Sequence, residues 1–147
     1  MSIRKMILWM GLCGFFAGCS TGREADIPGR PQTKADMGVR YLLGRGVQQN
    51  NEKAFYYFSR AANEGDPFAQ NELAYLYASG KGTPRDPTQS FFWYHKAADR
   101  GLASAEYNVG LMYEAGLGVA NNKALAREWY QRSASHGFEP AKQALQH

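Results

Sequence analysis

Few residues in this 147-residue chain are of types that do chemistry, and their spacing supports none. There are three histidines, His95, His136 and His147, and two cysteines, Cys13 and Cys19. A zinc hydrolase needs two imidazoles one helical turn apart with a glutamate between them. A structural zinc site needs closely paired thiolates or imidazoles. Neither pattern occurs, and no hydroxyl or thiol stands with a histidine and a carboxylate as a nucleophile–base set. His95 follows Trp93-Tyr94, His136 precedes Gly137 at an expected helix end, and His147 is the last residue. A partial positive charge suits a helix C-terminus, so these read as solvated or capping side chains. No metal, no cofactor and no enzymatic activity is expected.

The pairs Gly44-x-Gly46, Gly80-x-Gly82 and Gly116-x-Gly118 invite a phosphate-binding reading. A dinucleotide fingerprint needs a third glycine after a strand, and a P-loop needs Lys followed by Ser or Thr. Neither is there. The pairs recur every 36 residues, in phase with Tyr41, Tyr77 and Tyr113. The ring pairs Tyr57-Phe58, Trp93-Tyr94 and Trp129-Tyr130 keep the same spacing. So do Ala62, Ala98 and Ala134, then Gly65, Gly101 and Gly137, then Ala69, Ala105 and Ala141. A fixed period with no insertion is the signature of a repeat array, and it turns the glycines into bends.

Each unit reads as two helices. In the middle unit Asp66 is an N-cap, Pro67 suits the first turn, and Ala69, Leu73, Leu76 and Tyr77 share a face. Gly80 and Gly82 end that helix. Asp86-Pro87 starts the second, with Asn50 and Asn122 as the equivalent caps, and Ser90, Trp93, Tyr94, Ala97 and Ala98 face inward. Gly38, Ala74 and Gly110 form a row of small residues on the first helices, which lets backbones approach. The tryptophans and tyrosines at fixed repeat positions read as core, not as a carbohydrate platform.

The run Leu73-Ala74-x-x-Tyr77-x-x-Gly80-x-Gly82, then Trp93-Tyr94-x-x-Ala97-Ala98-x-x-Gly101, closely resembles the Sel1-like repeat, a relative of the tetratricopeptide repeat. The resemblance implies an all-α fold: an α-solenoid of three helix-turn-helix repeats with a short C-terminal capping helix after Glu139-Pro140. It also implies a concave face and an adaptor or scaffold role. Some secreted relatives staple each hairpin with a disulfide, and this sequence lacks the cysteines to do so.

The first residues read as an address. Arg4 and Lys5 precede an apolar run, Met6 to Phe16, too short for a transmembrane helix. The ending Phe16-Ala17-Gly18-Cys19 resembles a bacterial lipobox, with Phe16 in place of the usual leucine. The resemblance implies lipidation of Cys19, and Ser20 after it implies an outer-membrane lipoprotein facing the periplasm. Several acyl chains, at about 0.8 kcal/mol per buried CH₂, would hold it there. The expected division is a signal peptide over 1–18, a flexible tether over 19–33 and a repeat domain over 34–147. Cys13 leaves with the signal, so no disulfide is available.

Hydrophobic residues make up 44% and charged residues 20%, a globular balance. Losing Arg4 and Lys5 lowers the formal charge from +4 to +2. The remaining basic residues alternate with acidic ones, whereas a nucleic-acid binder clusters them. The expected partner is another protein, either an envelope or secretion-system component or, if this is an immunity protein, a toxic effector such as a lipase. The resemblance puts the first helices on the concave face. Helical spacing then selects Asp36, Arg40 and Leu43; Glu72, Tyr75 and Ser79; and Asn108, Leu111 and Met112 as groove-lining residues.

Overall fold

Polar caps and glycines set the length of every helix. The structure, a computed structural model, describes residues 32–146. The expected signal peptide, Cys19, most of the tether and His147 lie outside the described residues. Among the described residues there are seven helices and no strands. They are α1 (Lys34–Leu43), α2 (Asn51–Asn63), α3 (Pro67–Ser79), α4 (Pro87–Asp99), α5 (Ala103–Ala115), α6 (Lys123–Ser135) and α7 (Glu139–Ala144). Each packs against the helix before and the helix after it in the chain. This is an antiparallel zigzag of hairpins, the architecture of an α-solenoid.

The caps follow the sequence expectation. Asn50, Asp86 and Asn122 each accept a bond from the backbone N–H three residues on, and Asp66 accepts from Phe68 and Ala69. Thr33 forms a reciprocal capping box with Asp36. The helices α5 and α7 start differently. Their caps are Leu102 and Phe138, which make no side-chain bond and pack into the apolar core instead.

The three hairpins are copies down to single bonds. Gly44, Gly80 and Gly116 close the first helices at φ 69°, 70° and 65°, a left-handed conformation that costs glycine little. The N–H groups of Asn50, Asp86 and Asn122 then donate to Tyr41, Tyr77 and Tyr113 O, each at 2.9 Å. Three different side chains at one repeat position do one job. Gln49 donates to Leu42 O, Arg85 to Ala78 O and Asn121 to Glu114 O, satisfying carbonyls at the helix end.

Stacking depends on close approach at two places. A Cβ at Gly38 would lie 2.7 Å from the Phe58 ring, and one at Gly110 would lie 2.5 Å from the Tyr130 ring. The small row on the first helices is therefore a seat for a ring of the second helix in the same hairpin. The second glycine of each bend has a different task. A Cβ at Gly82 would stand 2.1 Å from Asn51 O, and one at Gly118 equally close to Pro87 O. The bend of one repeat thus lies directly on the start of the preceding repeat's second helix. Between repeats, Phe55 meets Tyr77 edge-on at 5.3 Å and Phe91 meets Tyr113 in the same way. Tyr94, Phe58, Leu73 and Leu76 are fully buried at the centre. Trp129 is only partly buried, unlike its counterpart Trp93.

A layered candidate interaction surface

The first helices of the second and third repeats are enclosed on more than one side. Ala69 to Ala74 of α3 and Ser104 to Met112 of α5 are buried without a break. This changes the reading of the nine groove candidates. Leu43, Tyr75, Ser79 and Arg40 keep accessible surface. Tyr75 carries Lys81, whose ammonium donates to the phenol at 2.8 Å and lies 5.0 Å above the ring. Asp36, Glu72, Asn108, Leu111 and Met112 are buried, and the expectation that they stand exposed on the groove is corrected. Asp36 is tied to the Thr33 backbone at 2.9 Å. Glu72 and Asn108 are linked through Asn71, which donates to Glu72 at 3.1 Å and accepts from Asn108 at 3.3 Å. Leu111 belongs to the apolar cluster.

Met112 and Arg40 occupy the repeat position of Leu76, which faces the preceding hairpin. Met112 accordingly receives the Ser90 hydroxyl of α4 at 3.9 Å from its sulfur. Arg40 has no earlier hairpin among the described residues to pack against. Its guanidinium folds over the end of the stack, donating to Arg45 O at 3.2 Å and to Gln32 at 2.7 Å. It is an end cap and not part of the groove.

Charge is organised at a repeat position that the sequence reading did not single out. Lys34 of α1 pairs with Glu64 beyond α2. Two repeats on, Glu106 and His136 occupy the same two positions with the acid and the base exchanged, 2.8 Å apart. Glu106 is fully buried, and Arg132 Nε lies 2.7 Å from its other oxygen as an ion pair. His136 is thus a C-cap holding a buried carboxylate. His95 lies 3.0 Å from Asp99 and edge-on to Trp129. Tyr130 donates to Glu114 at 2.7 Å, and burial together with that bond holds its phenol well above the usual tyrosine range. Burial, then the charge of Asp86, raises Tyr77 as well.

The outer faces of the second helices carry a second feature absent from the sequence reading. Tyr56 and Phe92 are 53% and 46% exposed, one repeat apart, each with a cation over its ring. The 36-residue spacing relates the two rings, but it does not by itself separate them from the inward rings beside them. Two open clefts, one along Tyr41 and Gln49 and one along Gln70, Lys96 and Arg100, bring together no nucleophile with a base. Among the described residues no group of three or more His, Cys, Asp or Glu is placed to hold a metal ion. No described helix is long and apolar enough to cross a membrane.

Comparison with known proteins fits this geometry. The Sel1 repeat model matches residues 32–66, 67–102 and 103–138. No curated protein matches. Among solved structures, a Sel1 repeat protein from Oxalobacter formigenes is 43% identical, with 77% of this chain and 85% of that one covered and a TM-score of 0.71. A protective antigen present in uropathogenic Escherichia coli strains, displaying an SLR fold, is 36% identical over 71% of this chain, with a TM-score of 0.70. This chain spans only 22% of that antigen. Cysteine rich protein B of Helicobacter pylori, 19% identical with 97% and 91% covered and a TM-score of 0.66, shares the fold. Three tandem matches cover most of the sequence, and the hairpins repeat bond for bond, so the chain belongs to the Sel1 repeat family.

Proposed function

We infer that this chain, as a Sel1 repeat protein, is a protein–protein interaction scaffold. We propose that it is a lipid-anchored module facing the periplasm, held by Cys19, which binds a partner protein on the first-helix side of the stack. The observation that carries the reading is the contrast between fixed and free positions. Tyr77, Gly80, Trp93 and Ala98 have equivalents in every repeat, whereas Leu43/Ser79/Ala115 and Val39/Tyr75 change from layer to layer. Packing explains the first set. Recognition of one partner explains the second, since aromatic and long aliphatic side chains are what interfaces enrich. The lipobox-like ending at Cys19 supports the anchor.

The test is site-specific photocrosslinking in cells at Tyr75 and Ser79, with Arg40 as an end-of-stack control. One discrete partner at Tyr75 and Ser79, absent at Arg40, is the expected result. An envelope component in that product means an adaptor, and a toxic effector means an immunity protein. No product at Tyr75 and Ser79 rejects the surface. Separately, Cys19→Ala is expected to move the protein from the membrane to the soluble fraction.

A further inference from the structure

The outer faces of the second helices bear a pattern that neither packing nor the proposed partner surface uses. Tyr56 on α2 and Phe92 on α4 are two of the three large apolar side chains left well exposed among the described residues. They hold the same repeat position. Arg60 lies 5.8 Å over Tyr56, and Lys96 lies 4.8 Å over Phe92 and 5.1 Å over Trp93. In the third repeat Arg132 lies 5.0 Å over Trp129. In that layer Glu128 takes the ring's position and Trp129 is half-buried, whereas the first two layers present an exposed ring and a cation together. The core does not require it, because the inward positions are already filled by Phe58, Tyr94 and Tyr130.

The charge of this face has a slight excess of one sign. Lys53, Arg60, Lys96 and Arg132 are exposed on it, against Glu52, Asp99 and Glu128. Asp99 is already engaged by His95, and Arg132 by Glu106. Lys96 and Arg100, with Asp99 between them in sequence, also line an open cleft of about 290 Å³ between the ends of α2 and α4. Rings flanked by cations suit a surface that is anionic at its face and apolar just beneath. A phospholipid leaflet has that profile, with aromatic side chains at headgroup level and basic ones on the phosphates.

We infer that the second-helix face docks on an anionic phospholipid leaflet, which turns the first-helix side away from the membrane. The sequence outside the described residues strengthens the choice of a membrane over an acidic protein. It places an apolar run and Cys19 only 15 residues before α1. A segment of that length reaches at most about 50 Å, so weak contacts act at high local concentration. The inference borrows only the tether from the proposed anchoring; the charge and the rings stand without it.

The test is covalent lysine labelling of the full chain, read residue by residue by mass spectrometry. It is run on vesicles of phosphatidylcholine alone and on vesicles containing phosphatidylglycerol. Lys96 is expected to be shielded only where phosphatidylglycerol is present, while Lys81, on the first-helix side, labels equally in both. Anchoring through the N-terminus acts in both vesicle types and cannot by itself produce that difference. Conversely, a chain that fails to attach to phosphatidylcholine still reports on docking in the second mixture. Replacing Lys96 by alanine (Lys96→Ala) lowers affinity for the anionic vesicles by about fivefold, the expected worth of one basic residue near such a surface. Tyr56→Ala with Phe92→Ala abolishes the shielding while the helical circular dichroism signal is retained. Equal labelling of Lys96 in both vesicle types overturns the proposal, as does shielding that survives the double variant.

Discussion

At the scale of single residues, the decisive contacts are those where a missing or buried atom is felt. Gly110 has no room for a methyl group beneath Tyr130. Gly110→Ala is expected to destabilise the fold by about 1–3 kcal/mol, as overpacking does, with thermal denaturation as the readout. Ala74 holds the equivalent place in the middle repeat, so the position itself accepts a methyl when its neighbours are built for one. Tyr130 gives a pH signature. Its phenol is held protonated in the folded state by burial and Glu114, whereas the unfolded side chain ionises near 10.0. Below that value the contribution is intact; above it the unfolded state loses protons that the folded state keeps. Stability should therefore fall as pH rises past 10. Denaturant melts of Tyr130→Phe are expected to show a shallower alkaline decline than the parent. An identical slope would remove Tyr130 from the account.

At the scale of elements, the boundaries of helices and the bends were legible because they depend on local chemistry. Asp86, Asn122 and Gly80 announce their roles by type and position, and the structure gives each of them that role. Asp86→Ala is expected to cost about 1 kcal/mol through the lost bond to Gln89 N. What the sequence did not disclose is which face of a helix is free. Helical periodicity assigns one buried and one open side, but α3 and α5 are covered over unbroken runs. Met112 was misplaced for that reason, and Arg40 because its position faces a hairpin only in later repeats. Gly82 was legible as a bend but not as a contact, since Asn51 O lies in another repeat. Substituting alanine at Gly82 should lower the melting temperature far more than at Gly46. The Cβ at Gly46 meets only the movable guanidinium of Arg40, although both positions have positive φ.

At the scale of the whole molecule, stability is shared between layers that touch only their neighbours. Hydrogen exchange should therefore be slowest in α3, α4 and α5, which have a layer on both sides. It should be faster in α1 and α7. Uniform protection along the chain would mean that the stack opens only as one unit. The ion pairs that join the two helices of a hairpin add a constraint of another kind. Lys34 with Glu64 and Glu106 with His136 occupy matching places with opposite polarity. If the first helix of the third repeat paired with the second helix of the first, whether within one chain or between two molecules during folding, Glu106 would stand against Glu64. Near-identical helices are prone to exchange partners, and here an acid would meet an acid. The pairing of helices within each layer is thus written in charge as well as in covalent sequence, which guards the assembly against shuffling its own parts.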